Sequence, residues 1–169
     1  MIRATIILCA LCASVVQSPA APLDAERLAD QIRKVEDFRN HDGTHGERGP
    51  YQITRGVWDM QMPGIPFALA RQEGPARACA LKHIAWLRTQ LVAADLDDNA
   101  HTVALAYNAG LTAVLTGKAP MSSYDYALRV QRLYDLSRPP LNAVSMRTTL
   151  DAPAAKPREA RPSTFKISP

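Results

Sequence analysis

Beyond a short apolar start, the chain has no hydrophobic run long enough to cross a membrane, no sustained alternation of apolar and polar residues, no internal repeat, and a single cysteine. Each absence removes a class of explanation. Cys9 and Cys12 lie within the starting run, so once that run is removed Cys79 has no partner and no intramolecular disulfide can staple the fold. Cys79 sits in an Ala-rich helical pattern, where a cysteine packs rather than reacts. The missing alternation argues against half-buried strands. A net positive charge is missing from the middle of the chain. The formal +4 of the whole sequence comes from Arg3 and from the stretch after Leu136, which is itself +4, leaving residues 22–136 at −1. The pI near 9.1 therefore belongs to the C-terminal stretch and gives no support for a nucleic-acid-binding core.

What is there divides into three. Residues 1–21 have the form of a secretory signal peptide: Arg3 as the positive start, an apolar run from Ala4 to Val16, and small residues at Ser18-Pro19-Ala20 that place cleavage near Ala20 or Ala21. The expected location is periplasmic or secreted, with no stable membrane insertion afterwards. Residues 22–137 suit one domain, and residues 138–169 read as a disordered, Pro-rich basic tail. The expected fold class is all-α. Asp24 caps a first helix reaching about Phe38, Ile53 to about Met60 carries Trp58, and Pro63, Gly64 and Pro66 interrupt. A long helix follows from about Pro75, with Leu81, Ile84, Leu87 and Leu91 on one face. Asp98 is expected to cap a helix ending at Gly110, Leu111–Leu115 forms a short helix closed by Gly117, and Ser122 with Asp125 reads as a capping box for the last helix.

The stretch from Val35 to Thr54 organises the rest. It leaves the first helix at Glu36, passes through a glycine-punctuated polar loop, and re-enters apolar sequence at Gly49-Pro50-Tyr51-Gln52-Ile53-Thr54. Leu28, Ile32 and Val35 mark one buried face, and Glu36 stands at its edge. A carboxyl there loses water, which disfavours its charged form and raises its pKa toward the range where it can donate a proton to a leaving oxygen. The bland alternative is a solvated flank residue, as most helical glutamates are. The loop itself offers His41, Asp42, His45 and Glu47 as metal-ligand types, but Gly43 and Gly46 argue against a helix that would use the His41/His45 spacing, so no metal is expected. Glu47 is a rival acid with no apolar face behind it and ranks below Glu36.

Four pieces in order resemble the soluble lytic transglycosylase family of lysozyme-like folds. They are a helix ending in Glu36-Asp37, the element Gly49-Pro50-Tyr51-Gln52, the string Ala106-Tyr107-Asn108-Ala109-Gly110, and Tyr126 followed by Val130. The third matches the family string without change. Asp37 stands where the family has Ser, and Pro50-Tyr51 where it has a Leu-Met pair.

The resemblance implies cleavage of the β-1,4 bond between N-acetylmuramic acid and N-acetylglucosamine in peptidoglycan. Glu36 would protonate the glycosidic oxygen and then take the proton of the muramoyl 6-hydroxyl, giving a 1,6-anhydro product. Tyr107 would hydrogen-bond and orient Glu36, Gln52, Asn108 and Tyr51 would contact substrate, and Tyr126 would support the site. No cofactor is implied. The partner is a glycan strand, not nucleic acid, and the chain is expected to act as a monomer. Two alternatives stay open: a hydrolytic lysozyme of the same fold, and a non-catalytic wall-binding module. For the hydrolase, the acids near the motifs (Asp37, Asp42, Glu47, Asp125) present no convincing second carboxylate.

Overall fold

The computed structural model describes residues 22–36 and 42–139, and these are all-α. The signal-peptide reading, the tail reading, Asp37 and the reach of the first helix to Phe38 lie outside the described residues. Helix α1 (Ala25–Glu36) begins where Asp24 Oδ1 accepts the Arg27 backbone N–H at 3.1 Å. Its Leu28, Ala29 and Ile32 are fully buried. Each such leucine or isoleucine contributes about 1.5–3 kcal/mol by leaving water. Helix α2 (Arg55–Gln61) is capped by Thr54 and sinks Trp58, whose indole N–H donates to the Ile65 carbonyl at 2.7 Å. After the Pro63-Gly64 break comes a 3-10 helix, Phe67–Arg71, which the sequence pattern did not suggest. Phe67 and Ala70 are buried there because the turn closes over Trp58, not because of a local period.

Helix α3 (Glu73–Ala93) carries Pro75 in its first turn and buries Ala76, Cys79, Ala80, His83, Ile84, Leu87 and Leu91. Helix α4 (Ala100–Ala109) is capped by Asn99, not Asp98: Asn99 Oδ1 accepts the Thr102 N–H at 2.9 Å, while Asp98 pairs with Arg88 at 2.7 Å. Helix α5 (Leu111–Leu115) spans the expected residues. Helix α6 (Met121–Leu136) starts after Pro120 with no side-chain cap, so the expected Ser122/Asp125 box does not form.

Helix α4 packs along α6, α6 along α1, and α3 closes the core behind α1 and α4. The start of α1 is tied to α6 by the Asp24 N–H donating to the Tyr134 hydroxyl at 2.8 Å. Arg33 grips Glu73, and Arg77 reaches Asp30 and Glu26, fastening α1 to α3. The end of α1, the turn at residues 48–53, the second half of α4 and the first half of α6 thereby meet at one place. Among the described residues no helix is long and apolar enough to cross a membrane.

Candidate active site

Helix α1 delivers Glu36 at its last described turn, one position beyond the apolar stripe that buries Leu28 and Ile32. Opposite it, the segment after residue 41 folds into a tight loop and hairpin turn. The Gly43 N–H donates to the Glu47 carbonyl at 2.7 Å, and Arg48 and Ile53 exchange backbone hydrogen bonds at 3.0 Å each. Gly49 takes φ +74°, and a Cβ there would overlap the Ala70 carbonyl oxygen, so only glycine fits the turn against the 3-10 helix. Gln52, at φ +46°, closes the turn by donating from Nε2 to the Gly49 carbonyl at 2.9 Å.

These elements enclose a cavity of about 330 Å³. Helix α1 contributes Glu36; the loop contributes Gly43, Thr44, His45 and Glu47; the turn contributes Gln52 and Thr54; α4 contributes Tyr107 and Asn108. Burial pushes the Glu36 carboxyl up to about 7. The nearby Tyr126 hydroxyl pulls it back down, the negative charge of Glu47 raises it, and Arg129 lowers it. A carboxyl balanced near neutrality can both give and take a proton under ordinary conditions.

Two tyrosines flank Glu36, and Tyr107 does not take the part expected of it. The Tyr107 hydroxyl donates to the Tyr51 carbonyl at 2.9 Å, bracing α4 against the turn instead of orienting Glu36. Behind Tyr107 lies His83, 5.6 Å ring to ring and stacked on Trp86, with a buried Nδ1 that has no partner among the described residues. Burial pushes the His83 imidazole down to about 4, so it backs Tyr107 as a neutral ring. Tyr126 is the closer neighbour of Glu36. Its hydroxyl is buried and makes no hydrogen bond of ordinary geometry to a described residue, yet it is the strongest influence favouring the Glu36 carboxylate.

Of the other expected residues, Gln52 and Asn108 line the cavity, and Asn108 is exposed with its Oδ1 accepting from Ser123 at 2.7 Å. Tyr51 does not belong with the substrate contacts. Its side chain is fully buried, with its hydroxyl accepting from Arg77 at 3.2 Å, and only its backbone serves the site. The Pro50-Tyr51 pair folds inward because Arg77 on α3 supplies the polar partner a buried phenol needs.

Glu47 was undervalued by the sequence reading. It lines the same cavity as Glu36, its side chain is 23% exposed, and the His45 N–H donates to its Oε2 at 3.0 Å. The available signal was the Gly43 and Gly46 pair, which lets the loop double back and turn a polar segment toward α1. Asp42 instead pairs with Arg71, and Asp125 is exposed on α6. Among the described residues no group of three or more His, Cys, Asp or Glu gathers around a common point; His41 lies outside them. Compared with protein-family models, with curated proteins and with solved structures, the chain finds no match.

Proposed function

We propose that this chain is a peptidoglycan lytic transglycosylase, working as a monomer in the periplasm or outside the cell, that cuts the β-1,4 bond between N-acetylmuramic acid and N-acetylglucosamine. The observation that carries the reading is a carboxyl with a pKa of about 7 facing an open cavity between α1, the Gly49–Gln52 turn and α4. That position is the one the four ordered motifs assign to a catalytic acid. Protonated Glu36 gives its proton to the glycosidic oxygen as the bond to the muramoyl anomeric carbon breaks. The carboxylate left behind then takes the proton of the 6-hydroxyl as that oxygen closes on the anomeric carbon. An attached nucleophile needs no separate capture, which is an advantage of proximity. Gln52 and Asn108 offer amide groups to the sugar's hydroxyl and acetamido groups, and Tyr107 forms the wall between them.

One observation favours a second reading, hydrolysis by water: a second carboxylate, Glu47, shares the cavity, as water-using glycosidases of the two-carboxylate kind require. Mass analysis of soluble products from purified peptidoglycan separates the readings. The transglycosylase leaves 1,6-anhydromuramoyl ends that borohydride cannot reduce. Products heavier by one water per released disaccharide, with reducible ends, replace it by a hydrolase. Wall that is bound and never cut replaces both by a binding module.

A further inference from the structure

We propose that Glu47 is a second catalytic carboxylate, facing the sugar from the loop side of the cavity while Glu36 faces it from the end of α1. This inference rests on the glycan-cleaving reading above and holds for either attacking group. Four observations carry it. Glu47 and Glu36 line one cavity of about 330 Å³, and among the described residues no lysine or arginine lines it. The Glu47 carboxylate is oriented, because Oε2 accepts the His45 backbone N–H at 3.0 Å and the Glu47 carbonyl accepts the Gly43 N–H at 2.7 Å. Room for it is kept by Gly43, where a Cβ would overlap Glu47 Oε2 and lie 2.6 Å from Gln52 Oε1. Among the described residues its ion-pair partner is the His45 ring, whose Nδ1 is 3.7 Å from Oε1 and whose side chain is 86% exposed to water.

A loop that only needed to close would not hold an oriented, mostly water-shielded carboxylate toward the cavity. The chemistry gives it a use. As the Glu36 proton passes to the glycosidic oxygen, the carbon–oxygen bond breaks and its electron pair leaves with that oxygen. Positive charge then develops on the anomeric carbon and ring oxygen of the other sugar. A fixed carboxylate across the cavity stabilises that charge in the transition state more than in the bound substrate, which is the condition for raising kcat. Glu47 acts on that charge across the cavity and forms no bond to the sugar.

Among the described residues, the titratable and charged groups that face Glu36 are Tyr126 and Arg129 from α6, Tyr107 from α4, and Glu47 with His45 from the loop. Removing the Glu47 charge takes away an influence that holds Glu36 protonated, so the alkaline limb of the pH profile moves to lower pH. The test uses the full chain and soluble peptidoglycan fragments. Glu47→Gln is expected to lower kcat at least about 100-fold with KM changed by less than about threefold. It should also keep the melting temperature and shift the alkaline limb of kcat/KM downward. Glu47→Asp keeps the charge and shortens its reach, and is expected to lower kcat at least about tenfold while leaving the limb in place. A folded Glu47→Gln within about threefold of the parent kcat, its alkaline limb unmoved, overturns the inference; should that variant not fold, Glu47→Asp at the parent rate overturns it. Glu36→Gln run in parallel separates the two failures. If it is inactive while Glu47→Gln is active, Glu47 alone loses its role; if it is active, the reading beneath fails.

Discussion

A carboxyl that burial holds protonated near neutral pH is one the fold keeps uncharged by preference, and Glu36 should carry the cost of ionisation in its stability. Its folded pKa of about 7 stands above the ordinary 4.5, chiefly through burial. The folded state therefore holds the proton more tightly than the unfolded chain does. The favourable contribution of the protonated form is complete below pH 4.5 and is lost as pH rises through about 7. At about 1.4 kcal/mol per pH unit, the loss is at most about 3.5 kcal/mol, reduced by the carboxyl's partial contact with water. Glu36→Gln, which cannot ionise, should thus be more stable than the parent at pH 8 and equal to it at pH 4. Urea midpoints at the two pH values check this. An equal gain at both would mean that the carboxylate is not desolvated. Position relative to an apolar stripe was enough to nominate Glu36, because helical period fixes where a side chain stands. Tyr51, Tyr107 and Glu47 were misjudged or undervalued because their surroundings come from Arg77, the Tyr51 carbonyl and a doubled-back loop, which no local period encodes.

At the scale of elements, strong periods and strong breakers were legible. The buried faces of α1 and α3, and the extent of α5 between Gly110 and Gly117, follow from residues close in sequence. Competition between neighbours was not. Asp98 leaves the cap of α4 to Asn99 because Arg88 offers it several hydrogen bonds, and α6 begins without its expected box while the neighbouring Ser123 donates to Asn108 on α4. The 3-10 helix was missed because tertiary burial of Phe67 and Ala70 creates it. The hinge between these elements is Gly49, whose positive φ and lack of Cβ let the Gly49–Gln52 turn lie against Ala70. Gly49→Ala is expected to cost at least about 2 kcal/mol, from the left-handed backbone and the overlap together. It should also lower activity, since the turn holds Gln52 and the carbonyl that braces Tyr107. A melting temperature and activity equal to the parent's would remove that turn from the account.

Among the described residues, one core joins α1, α3, α4 and α6 with Tyr51, Trp58 and Phe67, and the cavity opens where the end of α1 meets α4 and the glycine loop. The all-α class was readable from the sequence because the helices have apolar faces, as α1 and α3 do, or sharp ends, as α4 and α5 do. The cavity was partly readable, since Glu36, Gln52, Tyr107 and Asn108 were named for it, while Glu47 in the loop was named only as a lower-ranked rival acid. The division of charge fits this arrangement: the domain is close to neutral and the excess of positive charge follows it in sequence. Under the proposed function, long-range attraction to an anionic wall would fall to the basic stretch, and recognition of the sugar to polar groups in the cavity. The claim on which everything else depends is that Glu36 carries the proton. It is tested most directly by measuring release of soluble fragments from purified peptidoglycan by Glu36→Gln, after its melting curve shows an intact fold. The account predicts a rate at least about 100-fold below the parent's; a folded variant that releases fragments within about tenfold of the parent rate would contradict it and move the acid to another residue.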